Sequence, residues 1–519
     1  MTPNPRPASH PDWIWTLGLV LLPALALVLL RGIDANWDLR NYHLYNPHAW
    51  LTGRMLIDIA PAQLQTWHNP LLDVPLYLLA TSGLDSRWIS VWLTIPYSVA
   101  FMLLLRLQSS LATEQPTRAQ QAILIAVALT GAATYSTIGN SMNDGFVAVA
   151  ILGALVIVLV PENASHRRWL LAGFLAGAVM GLKLTASVYC VALAFAALPH
   201  GPWLNRIQRL AALALGGLCG FVATYGYWAW LMRSLHGNPF FPYFNNFFKA
   251  AELPGHVYTD GRFRADGLWD ALLVPVELLQ KSYLFSELHM KDPRLFLGVV
   301  CIVALYFIRR RKLSASTASA RRMGTLAVFY SSALIIWALQ FGIYRYANTL
   351  ELLGSLGFVL AMTSIPRSRV WPALLASIVV ISLTTRPNWG HVESTAPKFG
   401  IQPAPIPDNS LVLIASGEPI AFLALGLPRA TPLVAVSNSI LLPEECSLMQ
   451  VRAIELIDSH PGPIWLLSAN SPRPEDGQAL LTKWYGLVQQ GECLEFTNSL
   501  VSAKLCPQSR SGPIIACQK

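Results

Sequence analysis

Long apolar stretches, separated by short loops rich in arginine, decide what this chain can fold into. They run near 13–30, 88–105, 121–138, 145–160, 169–182, 185–199, 210–232, 294–308, 324–342, 352–365 and 370–385. A helix needs about 20 apolar residues to cross a bilayer, so the boundaries of the shorter stretches are soft. Hydrophobic residues make up 54% of the 519 and charged residues 13%, about half the charged share of soluble domains. The pattern predicts a polytopic α-helical membrane protein with about 11 transmembrane helices. Residues 13–30 run into Arg31 and Gly32 with no small-residue cleavage site, so they read as a retained first span, not a signal peptide.

The loops set the orientation. With a cytoplasmic N-terminus, the inside loops are 106–120, 161–168, 200–209, 309–323 and 366–369. Each carries at least two cations: Arg106 and Arg118; Arg167 and Arg168; Arg206 and Arg209; Arg309, Arg310, Arg311, Lys312, Arg321 and Arg322; Arg367 and Arg369. This is the distribution of the positive-inside rule. The outside then receives the loops 31–87 and 233–293, the turns around Asp144 and Arg345, and the tail. An odd number of spans fits, and 69–82, with Pro70, Asp73 and Pro75, reads as a helix in the interface. The net charge of +9 is spread over these loops without a basic face, which argues against nucleic acid as a partner.

The character changes after residue 385. Short β-type runs at 411–416, 431–437 and 463–469 alternate with an amphipathic run at 451–460, the pattern of a small C-terminal α/β domain over 386–519. It closes in a hairpin over 492–508 with Cys493 and Cys506 near its ends. Cys446 and Cys517 complete four tail cysteines. An oxidising compartment permits disulfides there, Cys493–Cys506 first among them; free thiols are the alternative.

Chemistry-bearing residues gather on the outer side of this topology. Asp34 and Asp38 follow the first span in a loop crowded with Asn, His, Tyr and Trp. Either they cap the helix starting near Leu39, or one serves as a general base. Asn140 and Asp144 lie in the second outer turn, and Asn-Asp-Gly is also ordinary turn chemistry. Lys183 interrupts two apolar segments and needs a partner or a task; a lipid phosphate suits it, and snorkelling is the plain alternative. Five phenylalanines between 240 and 248 suit an interfacial belt or a grip on an isoprenoid chain. Arg345, between Tyr344 and Tyr346, is an outer-side arginine able to hold phosphate bidentately, unless it pairs with Glu351. His43, His48 and His68 lack metal-site spacing, and neither a P-loop nor a dinucleotide fingerprint occurs. The stripe Gly173, Gly177, Gly181 reads as a packing seam.

Many spans, an acid in the first outer loop, a second acid in the next and a terminal extracytoplasmic domain resemble the GT-C superfamily of integral-membrane glycosyltransferases. Asp38 with Tyr42, Ala49 and Gly53 is similar to that family's acid, tyrosine, small residue, glycine pattern, although Leu39 stands where the family often has a second acid. Arg345-Tyr346, GNPFFPYFN and KDPRL also resemble segments of its bacterial members. The resemblance implies a bacterial inner-membrane enzyme that moves a sugar from a polyprenyl-phosphate donor to a glycan, lipid or protein acceptor by inverting displacement. Asp38 would take the acceptor's proton. Asp144 would orient the acceptor, or with Asp38 hold an optional divalent cation (Mg or Mn), with no cofactor required. Arg345 and Lys183 would meet the lipid phosphate, and Tyr346, Tyr42, His43, Asn140 and Asp34 complete the substrate-binding set. The competing class is a transporter or lipid flippase, which would place polar residues mid-membrane in broken helices.

Overall fold

The computed structural model describes residues 13–161, 164–253, 258, 260–280, 285–313, 317–363, 370–393, 399–469 and 477–517. Most are helical, and each apolar stretch named above contains helix. Four described segments are long and apolar enough to cross a membrane: Trp13–Arg31, Ser86–Leu111, Trp203–His236 and Ala318–Gln340. Local chemistry marks several helix starts. Pro96 sits in the first turn of Ile95–Leu111, where its missing N–H costs nothing. Thr117 and Gln120 form a reciprocal capping box before Arg118–Leu129, satisfying two otherwise orphaned N–H groups.

The glycine stripe is a packing seam. Gly173 and Gly177 on His166–Leu182 lie so close to Trp203–His236 that a Cβ on either would strike the backbone of Leu213 or Gly217. Asn69 clamps the end of this pair, its Nδ2 donating to Gly181 O at 3.0 Å and Thr224 O at 2.9 Å. Beyond it the 69–82 stretch forms the eight-residue helix Val74–Thr81, far short of a span.

The arginine-rich loops meet at one end of the helical body. Arg322 donates to Ser110 O and Pro161 O, and His200 contacts Arg321 O. This joins the segments near 110, 161, 200 and 321. Arg367 and Arg369 fall outside the described residues.

At the other end sits a sheet of strands β3 (Leu411–Ile414), β4 (Leu433–Ala435), β5 (Ile464–Ala469), β6 (Leu487–Gln489), β7 (Leu494–Glu495) and β8 (Ala503–Arg510). The order is β4-β3-β5-β8-β6, with β7 also on β8. Strands β4, β3 and β5 are parallel, and β8 runs antiparallel to its neighbours. Helix Leu448–Ser459 links β4 to β5. All four residues of β3 are buried, as a parallel strand covered on both faces requires. Cys493 is disulfide-bonded to Cys506, and Cys446 to Cys517.

The tail is joined to the first loop twice, by a separate two-stranded ladder and at the edge of this sheet. A short ladder pairs β1 (Ile33–Asp34) antiparallel with β2 (His391–Val392). Ile59 adds to the β4 edge, donating to Leu433 O at 3.0 Å and accepting from Ala435 N at 2.8 Å. Arg54 and Asp58, each 1% exposed, form a buried ion pair at this junction. Arg54 donates onward to Thr431 O, and Asp58 accepts from Leu433 N. The sheet therefore covers the loop that carries Asp38.

Candidate active site

The first loop turns through an unusual element. Asp38 precedes a five-residue π-helix, Leu39–His43, and makes no side-chain capping bond. The capping explanation for Asp38 therefore fails. π-Turns recur at functional sites because their i→i+5 pattern re-aims side chains. Helix Tyr45–Thr52 follows and ends at Gly53, whose φ of 78° is left-handed and favours glycine.

Asp38 instead meets Arg345 across the fold, with Nη1 to Oδ2 at 2.5 Å and side chains 16% and 9% exposed. The guanidinium also lies 5.1 Å from the Tyr346 ring and 5.7 Å from Trp389. Beside it Lys183 Nζ donates to Asp144 Oδ1 at 2.5 Å and to Met142 O at 2.7 Å, and stands 5.3 Å from the Tyr346 ring. Tyr346 thus sits between two cations, each paired with its own carboxylate. The Oδ2 of Asp144 is buried without a hydrogen-bond partner among the described residues. Asp144, Asn140, Asn143 and Tyr97 line a cavity of about 10 Å³, the size of one water.

A third group links these elements. Asp73 Oδ1 contacts His43 Nδ1 at 2.8 Å and accepts from Asn143 Nδ2 at 2.7 Å. His68 Nε2 contacts the Tyr243 hydroxyl at 2.8 Å, and the Tyr42 ring lies 4.1 Å from His43 and 5.1 Å from His68.

The charges shape one another. Burial alone would raise the Asp38 carboxyl, but Arg345, His43 and Lys183 outweigh it and hold the group below the ordinary carboxylate value. Burial works against the Arg345 charge too, yet Asp38 and Tyr346 keep it firmly protonated. Lys183 lies below the ordinary lysine value because burial exceeds the help from Asp144. Burial also pushes His68 down to about 4 despite the nearby Asp38 charge, so that ring is neutral at pH 7.

Several expectations need correction. Arg345 does not pair with Glu351, which accepts from the Ala133 and Thr134 N–H groups and from the Tyr344 hydroxyl. Asp34 is a loop brace and not part of the charged cluster; it accepts from Asn36 and from Ser141 N at 2.8 Å. Arg294 of the KDPRL segment is fully buried, bound to Asp292, Val127 O, Thr130 and Thr384. Asp38 and Asp144 each face a cation, a donor set that does not fit a divalent metal. Among the described residues no three His, Cys, Asp or Glu side chains are grouped to hold one. Of the phenylalanines, Phe241 is buried while Phe244 and Phe247 are exposed.

Reasoning from sequence gave no site role to Asp73, His68, Tyr243 or Trp389. It also missed a cavity of about 410 Å³ between the first loop and the sheet, lined by Tyr45, Met55, Asp58, Trp67, His236, Met449 and Arg452 among others. Trp67 borders this cavity while its neighbour His68 joins the charged cluster, so the two are one residue apart along the chain. Compared with models of protein families, with curated proteins and with solved structures, the chain matches none.

Proposed function

We propose that this chain is an integral-membrane glycosyltransferase using a polyprenyl-phosphate sugar, with all of its apolar stretches, about eleven, crossing the membrane. The arginine-rich loops lie on the cytoplasmic side and the sheet lies outside. The observation that carries the reading is the Asp38–Arg345 pair beside Asp144–Lys183, at helix ends beneath the sheet. Two cations that each already hold a carboxylate form an exchangeable site for a phosphate. When the donor's phosphate binds Arg345 bidentately, Asp38 loses its countercharge and becomes free to accept a hydrogen bond from the incoming acceptor. Lys183 supports the departing phosphate as negative charge develops on it, and Tyr346 fixes both cations. Asp144 and Asn140 border the acceptor's approach. The 410 Å³ cavity, within the range of ligand pockets, gives the acceptor room on the side of the sheet.

The polar residues stand at helix ends and not in broken helices at mid-membrane, which favours chemistry at the surface over passage. The test is binding of radiolabelled polyprenyl phosphate to purified wild type and Arg345→Gln in nanodiscs. Wild type should bind, and the variant should lose at least tenfold. Equal binding by the two proteins would remove Arg345 from the donor site.

A further inference from the structure

We infer that His43, held by Asp73, is the proton store of this site, and that the acceptor it serves is a hydroxyl. The inference rests on the transferase reading and deepens it.

The π-helix Leu39–His43 follows directly on Asp38, so the i→i+5 pattern brings Asp38 and His43 onto one turn. His43 is 1% exposed and Asp73 4%. In the 2.8 Å contact from His43 Nδ1 to Asp73 Oδ1, a proton on Nδ1 would donate to the carboxylate, and Nε2 would then be a bare acceptor. That is the arrangement by which a carboxylate orients an imidazole base. Nε2 is buried and has no hydrogen-bond partner among the described residues. A histidine serving only to tie two loops together would need Nδ1 alone, and burying an idle second nitrogen costs free energy. Asp73 is itself fixed, since the same oxygen accepts from Asn143, next to Asp144. Asp73 contacts the His43 ring directly, the Tyr42 ring lies 4.1 Å from it, and Asp38 and His68 are close enough to interact with it electrostatically.

The unpartnered Nε2 is the open acceptor that this dyad offers to a proton. The acceptor oxygen forms a bond to the anomeric carbon, and the bond from that carbon to the phosphate oxygen breaks. The electron pair leaves with the lipid phosphate, and the hydroxyl proton passes by way of Asp38 to His43 Nε2. After product departs, the imidazolium returns that proton to water. A hydroxyl needs such a proton acceptor to become a nucleophile at neutral pH.

The variant that tests this is His43→Asn. Its amide Nδ2 stands where the ring Nδ1 stood, so the bond to Asp73 survives while nothing occupies the Nε2 position. Thermal stability and polyprenyl-phosphate binding should stay within twofold of wild type. Transfer should fall about 10²- to 10⁴-fold. Transfer within threefold of wild type would overturn the inference. ¹⁵N-histidine NMR of the wild-type protein gives a readout independent of activity: a proton on Nδ1 supports the dyad, and a proton on Nε2 overturns it. Wild type that transfers from no donor would refute the transferase reading itself and leave the NMR result to judge the dyad.

Discussion

The stability losses from removing Asp38 and from removing Arg345 should not add, because each removal leaves the other's buried charge unpaired. The two side chains are nearly buried and in contact at 2.5 Å. At an effective dielectric of about 20 two unit charges about 4 Å apart attract by roughly 4 kcal/mol, and a buried pair stripped of one partner loses about 3–5 kcal/mol. Arg345→Met and Asp38→Asn should therefore each destabilise by about 3–5 kcal/mol at pH 7. The double variant should lose at least about 2 kcal/mol less than the sum of the two. The pH dependence follows from the direction of the Asp38 shift. A carboxyl held below its unfolded value contributes stability above that value and loses it as pH falls through the folded one. Without Arg345 the carboxyl rises and protonates readily, so the penalty of Arg345→Met should shrink as pH drops from 7 toward about 4. Denaturant-induced unfolding in detergent, followed by tryptophan fluorescence at several pH values, measures all four corners of the cycle. Single-variant losses that add to within about 0.5 kcal/mol would refute the reasoning.

Other consequences are open to simpler assays. Gly177→Leu should force Trp203–His236 away from its partner helix, abolishing well-folded protein in size-exclusion chromatography, whereas Gly237→Ala, where a Cβ has open space, should cost only backbone strain of about 1 kcal/mol. Asp58→Asn should loosen the first loop from the sheet edge and expose residues 54–60 to limited proteolysis, while the sheet itself stays resistant. Burial holds His48, His68 and His391 at about 4 against an ordinary 6.5. Their unfolded forms bind more protons between those values, so stability should fall as pH drops from 6.5 to 4, by up to about 3 kcal/mol per histidine. His68→Gln should flatten that loss, and an unchanged pH profile would contradict the assignment.

Loop alternation already placed Asp38, Asp144, Lys183 and Arg345 on one side, and the structure brings these four into one cluster. Which acid met which cation was not legible. Asp38 and Arg345 lie 307 residues apart, and nothing local to Arg345 separates Asp38 from the nearer Glu351 as a partner. Asp73 was read only as part of an interfacial helix for a related reason: its contacts with His43 and Asn143 reach 30 and 70 residues along the chain. The β-runs of the tail could be read because parallel strands are continuously apolar. The junction with the first loop could not, since one bridging residue, Ile59, leaves no periodic trace. Spans were harder still: Asp144–Leu159 and Trp371–Leu383 are apolar helices of fewer than 18 residues, so length leaves their crossing undecided.

The most direct test of the account is transfer itself. Purified wild type and Asp38→Asn, in nanodiscs, would be given a panel of radiolabelled polyprenyl-phosphate sugars and extracted envelope acceptors. Wild type should move label to an acceptor, with inversion at the anomeric carbon, and the variant should lose at least 10²-fold. Undiminished transfer by Asp38→Asn, or none by a wild type that binds no donor, would contradict it.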